Sequence, residues 1–292
     1  MAETQPPEDL TSPAWLLAAV AVCLPVCLFV FWRIGRWWSS DEPVPLPLDG
    51  AWPAVRWPPW YGMGLFVLAL VVASFVPPLY EEAAGAGLVP WEPLAVPHMF
   101  SPGVFLSQIL PSLVVLLIVA QFGRGAIATV TVRCGSLRAG LAHGVIGFAT
   151  ILPVCVAALV ANMHLVDAFG WKAAQHPLLE IVQHQPQPWV LPLALVQAAV
   201  LAPLAEEFLY RGVLMTSLLK GFGVVGAIVL SSAIFASMHL PLEPQAFLPL
   251  FFLGMGLAYV AYRTRSLVAP IVMHALFNAL MILGTFGKTF AH

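Results

Sequence analysis

Charge is what this chain has least of. Only 9% of its 292 residues are Asp, Glu, Lys or Arg, against about 25% in an ordinary soluble domain. Too few charges are present to cover a water-facing surface, which excludes a soluble globular protein. The net charge is −2 and no basic block occurs, so a nucleic-acid partner is excluded as well. The four cysteines, Cys23, Cys27, Cys134 and Cys155, form neither a C-x-x-C pair nor a secreted disulfide framework, and read as small packing residues. A Gly-x-Ser-x-Gly elbow is missing, which removes the usual cue for a serine nucleophile. The apolar runs hold no aspartate, which removes a paired-aspartate mechanism, and the zinc-protease helix His-Glu-x-x-His is absent. Residues 1–13 carry Glu3, Glu8 and Asp9 without a basic residue, the opposite of a secretory n-region. The first apolar run is therefore expected to be a retained anchor. No internal repeat is visible.

What fills the chain instead is hydrocarbon: 60% of residues are hydrophobic and the mean hydropathy is +0.90. About 20 apolar residues cross a ~30 Å hydrocarbon core. Eight candidate spans lie near residues 15–32, 60–79, 104–122, 141–161, 189–210, 224–238, 246–262 and 267–283. The expected fold is an all-α polytopic bundle of about eight transmembrane helices, partnered by the lipid bilayer. The sixth run is short, and the fifth contains Pro192, Pro203 and charges, so both are expected inside the bundle rather than against lipid. A proline- and tryptophan-rich stretch at 40–59 suits a headgroup-level loop, and a short surface helix is expected near residues 178–182. Arg33, Arg36, Arg56, Arg124, Arg133, Arg138, Lys220, Arg263 and Arg265 fall in alternate connections, whereas the others hold only Lys172 and Lys288. By the positive-inside rule both termini are expected outside a multi-pass cell-membrane protein, with the bacterial inner membrane as its place. Residues 1–188 read as scaffold helices and loops. Residues 189–292 read as the core carrying the chemistry, within one integrated membrane domain.

That chemistry begins at Glu206 and Glu207, adjacent carboxylates in a strongly apolar run with Arg211 four residues beyond. A carboxylate in hydrocarbon is costly unless it is paired or opens onto a wet cavity. Residues four apart share a helix face, so Glu207 and Arg211 can pair bidentately. Glu206 is turned about 100° away and is left as the free carboxylate, suited to a general base. The plainer reading is a pair of helix-end carboxylates with Arg211 snorkelling to the surface. His239 ends the sixth run before Pro241 and Pro244, and His274 and Asn278 sit one turn apart in the eighth. Taken singly, His239 could be a helix cap and the His274–Asn278 pair interhelical glue. Taken together they are the parts of a water-activating hydrolase. Glu206 can take a proton from water, His239 can hold that water or return the proton, and His274 with Asn278 can donate to a tetrahedral oxyanion. The other histidines, His98, His143, His164, His176, His184 and His292, read as loop, tail or helix-start residues. Tyr210 and Phe208 read as packing.

The ordered set Glu206-Glu207-x-x-x-Arg211, Phe235-x-x-x-His239 and His274-x-x-x-Asn278 resembles the CPBP (CAAX protease/ABI, bacteriocin-processing) family of intramembrane proteases. The glycine-containing run and basic turn at residues 254–271 are similar to the stretch before that family's last histidine. The resemblance covers roughly residues 178–278. It implies a CAAX-prenyl-protease-like endopeptidase acting on a membrane-associated protein or peptide. Glu206 and His239 would activate water, Glu207 and Arg211 would support them, and His274 and Asn278 would stabilise the oxyanion. The family has often been described as metalloproteases, and the residue types of Glu206, His239 and His274 would allow a divalent metal such as zinc, although nothing in the sequence calls for one. The alternative is a non-proteolytic membrane scaffold or bacteriocin-immunity-type binding protein of the same fold. A small-solute transporter fits less well, because no paired broken helices or inverted repeat are visible.

Overall fold

The computed structural model describes residues 59–89, 98–122, 137–171, 176–185, 187–240 and 243–289. The expected first span, the tryptophan-rich loop, Cys23, Cys27, Cys134, Arg33, Arg36, Arg56, Arg124, Arg133, Lys172 and His292 lie outside the described residues. Six helical runs among those described are long and apolar enough to cross a membrane, and the protein is an all-helical, multi-pass membrane protein. In chain order the helices are α1 (Pro59–Gly85), α2 (Pro102–Ala120), α3 (Leu137–Ala168) and the short α4 (Pro177–His184). There follow α5 (Val190–Val196), a π-helical turn Gln197–Leu201, α6 (Ala202–Glu207), a second π-helical stretch Phe208–Met215, and α7 (Thr216–Ser237). The last two are α8 (Phe247–Thr264) and α9 (Val268–Thr289).

The fifth and sixth expected spans are one uninterrupted run, Val190–Ser237, of 48 residues. At ~1.5 Å per residue a straight rod would be about 72 Å long, more than twice the hydrocarbon core. Gly223 breaks it, with φ 66° and ψ −176°, a conformation open essentially to glycine alone. The chain doubles back there, and the rings of Tyr210 and Phe235, on opposite arms, meet edge to face at 5.1 Å. The turn thus falls three residues beyond Lys220, around which the sequence centred it.

The first arm of this hairpin is the axis of the bundle. Every residue from Phe208 to Met215 is buried, the signature of a helix surrounded on all sides. Leu65, Phe66 and Ala69 of α1, Val115 and Val119 of α2, Phe235 of α7 and Ala258 and Ala261 of α8 close around it. On the far side, α3 packs against α8 and α9. Gly140 and Gly144 permit this approach, because a Cβ on either would come within 2.7 Å of Val268 or Val272. The expected surface helix is α4. Leu178 and Val182 press it onto Ile282 of α9 and Val190 of α5.

Candidate active site

Axial placement of the first arm puts its charges where water is scarce, so each must find a partner. Glu207 and Arg211 are both fully buried and joined Oε1 to Nη1 at 3.1 Å. The second guanidinium arm, Nη2, donates to the Gly254 carbonyl of α8 at 3.2 Å. That reach requires close helices, and a Cβ on Gly254 would stand 3.0 Å from Ser232 of α7. The guanidinium also lies 4.9 Å from the Phe235 ring centre and 5.7 Å from that of Tyr210, a cation–π cage that favours the planar Arg head over a Lys ammonium.

His274 docks onto this pair from α9. Its Nδ1 is 2.9 Å from Glu207 Oε1, so one carboxylate oxygen receives both the arginine and the imidazole. With Nδ1–H donating to Glu207, the other ring nitrogen, Nε2, faces Glu206 Oε2 at 3.8 Å. That separation is too long for a hydrogen bond and makes an ion-pair contact when His274 is protonated. Glu206 is the outlier of the group, with its side chain 31% exposed while Glu207 and Arg211 are at 0%. The structure thus separates the two adjacent carboxylates as their helical phase predicts.

Asn278 makes a structural contact that the sequence did not disclose. In the π-helical turn the Ala202 N–H bonds to the Gln197 carbonyl. The next carbonyl, Ala198, would need a donor at position 203, and that residue is Pro203, which has no N–H. Asn278 Nδ2 supplies the missing donor at 2.7 Å. One of its two amide hydrogens is therefore spent on fastening α9 to α5–α6. Restoring the backbone donor separates that contact from the expected catalytic role. We expect Asn278→Ala to lower thermal stability by about 1–3 kcal/mol, the cost of an unsatisfied buried carbonyl. Adding Pro203→Ala should recover much of that loss in a thermal melt without recovering cleavage. Equal recovery of both would remove Asn278 from catalysis.

His239 stands apart from the Glu206–His274 contact. Its Nδ1 bonds to the Phe235 carbonyl at 3.0 Å, which leaves Nε2 as the nitrogen available to water or substrate. The Phe235 ring bridges the two histidines, 5.2 Å from the His239 ring and 5.7 Å from that of His274. Two further titratable groups border His239. Burial pushes the Glu243 carboxyl above its usual range, with His239 acting in the opposite direction. Burial, and secondarily His239, push His176 below the ordinary histidine value. His176 is not the solvated loop residue that its position suggested, since its Nδ1 accepts from Leu178 N–H and caps α4. The pattern His176-Pro177 followed by Glu180 was the available signal, because a polar residue before proline marks a helix start.

Among the described residues no group of three or more His, Cys, Asp or Glu side chains is placed to hold a metal ion. The atoms of Glu206, His239 and His274 that would have to meet a divalent ion such as zinc are the Glu206 carboxylate and the two Nε2 nitrogens. His274 Nδ1 is held by Glu207, and His239 turns its Nδ1 to its own helix.

Of the candidates read from the sequence, Glu206, Glu207, Arg211 and His274 converge directly, Asn278 joins through Ala198, and His239 joins through Phe235. No curated protein and no solved structure matches the chain. Residues 188–280 match a family model described as type II CAAX prenyl endopeptidase Rce1-like. The stretch that holds every one of these side chains is thus the stretch that this family model matches, which supports the resemblance of its motifs to the CPBP family.

Proposed function

We propose that the protein is an intramembrane endopeptidase that hydrolyses a peptide bond of a membrane-associated protein or peptide. The observation that carries this reading is the contrast between the two glutamates. Glue residues bond across helices, as Glu207, Arg211, His274 and Asn278 all do. Glu206 accepts no hydrogen bond among the described residues, is partly exposed, and faces the imidazole of His274. A carboxylate kept in an apolar run without a structural partner is there for chemistry.

In the reaction, Glu206 takes a proton as water adds to the peptide carbonyl carbon, and the carbonyl electron pair moves onto oxygen. His274, as the imidazolium whose Nδ1–H is held by Glu207, donates Nε2–H to that oxyanion together with the second amide hydrogen of Asn278. When the oxyanion collapses, the C–N bond breaks and the departing amine receives a proton from Glu206 or His239. Glu207 and Arg211 act through His274, fixing its orientation. The N-terminal 188 residues serve as scaffold, and the basic connections lie on the cytoplasmic side.

The experiment uses the full chain in proteoliposomes. It is offered a farnesylated peptide ending in a CAAX sequence and an unprenylated membrane-anchored peptide, with products read by mass spectrometry. A new terminus that persists after complete chelation is the expected result. Cleavage abolished by chelation and restored by zinc would return the metal mechanism. A folded protein that binds the peptides but cuts none would favour the scaffold or immunity-type reading.

A further inference from the structure

A cavity of about 490 Å³ lies between α3, α8 and the start of α9. None of Glu206, Glu207, Arg211, His239, His274 or Asn278 lines it. Its inner wall is apolar, formed by Ile151, Val260, Gly256 and Met273. Its outer wall belongs to the exposed face of α3, where Ile146 is 63% exposed and His143 and Thr150 flank it. Towards the helix ends the lining turns polar, with Arg263, Thr264, Ser266 and His143.

The charge here has one sign. Arg263 lines the cavity, and the exposed Arg138 and Arg265 stand at the ends of the same helices. The sequence has no Asp or Glu between residues 93 and 166, and none after 243. The one carboxylate on α3, α8 or α9 is Asp167, at the opposite end of α3, 29 residues or about 43 Å from Arg138. His143 holds the Ala139 carbonyl with Nδ1 at 2.6 Å, which leaves its Nε2 for a ligand.

We propose that this cavity binds an anionic glycerophospholipid drawn from the surrounding bilayer. The phosphate sits at Arg263 and His143, and the upper part of one acyl chain lies along Ile146, Ile151, Val260 and Met273. An apolar cleft opening to lipid with a cationic rim matches an amphiphile of that charge. The assignment does not depend on proteolysis, because binding is read without any cleavage.

The test is native mass spectrometry of the full chain in an uncharged detergent, titrated with phosphatidylglycerol or with phosphatidylcholine of the same chains. One phosphatidylglycerol retained per protein, in preference to phosphatidylcholine, is the expected result. The double variant Arg263→Gln/His143→Gln should weaken its retention by roughly fivefold or more. Thr150→Trp, which fills the apolar part, should weaken both lipids. Lys220→Gln removes a basic residue outside the cavity and should change nothing. Equal retention of the two lipids, or an equal loss in Lys220→Gln, would overturn the proposal. Glycerol 3-phosphate competing as well as the whole lipid would also overturn it, by reducing the site to an anion-binding patch.

Discussion

Glu206→Gln should reduce cleavage by roughly 10²–10⁴-fold, the contribution of a positioned general base, while leaving the melting temperature unchanged. The amide keeps the shape of the carboxylate but cannot take a proton from water. It disturbs no side-chain hydrogen bond among the described residues, where Glu206 faces His274 Nε2 at 3.8 Å. The clean separation of activity from stability is the informative part, and it should not recur one residue along. Glu207→Gln weakens the interaction with both Arg211 and His274, and should lower stability and activity together. His239→Ala belongs with Glu206, because its hydrogen bond is to a carbonyl of its own helix. A Glu206→Gln protein that cuts a confirmed substrate at the wild-type rate would end the proposed mechanism.

The second large effect is on folding. Arg211→Ala removes a fully buried guanidinium that holds Glu207 and the Gly254 carbonyl at once. The Glu207 carboxylate is then left in the bundle axis with only His274, and breaking a buried pair in this way costs about 3–5 kcal/mol. Arg211→Lys should rescue only part of the loss, since one ammonium cannot reproduce the forked contact or the stacking over Phe235 and Tyr210. Thermal unfolding in detergent, followed by the loss of monodisperse protein, reads both variants. A melting temperature unchanged in Arg211→Ala would mean that the buried charge cluster contributes nothing net to the fold.

Much of this arrangement was legible in the sequence because helical geometry is periodic. The i, i+4 rule paired Glu207 with Arg211, and a rotation of one residue set Glu206 aside. Apolar runs marked the spans, and the sequence near residues 178–182 marked a surface helix. The remainder depended on departures from periodicity. Nothing in the spacing announced that Gln197–Leu201 winds as a π-turn, so the Ala198 carbonyl and its debt to Asn278 were invisible. Pro203 was the clue, because a proline within a span leaves a carbonyl for another span to satisfy. Nor could chain distance foretell the hairpin at Gly223, whose backbone turns a 48-residue run back on itself. His176 was misread because its ring turns onto the Leu178 N–H to cap α4.

The two π-helical stretches have a consequence of their own. They flank Ala202–Glu207 on either side, so the six residues carrying both carboxylates sit between two places where the winding lags the α-helix. Each wide turn acts as a phase shifter, advancing the chain by one residue without completing the corresponding rotation. Trimming one residue from the first would restore α winding there and leave the phase of Glu206 and Glu207 relative to α5 nearly unchanged. Regular α winding at the same chain length would instead turn both carboxylates by the rotation that the wide turn absorbs, up to about 100°. The angular setting of the carboxylates is thus encoded by the winding upstream of them. A change of winding at constant length is the alteration most able to turn both carboxylates away while leaving the composition of the site intact.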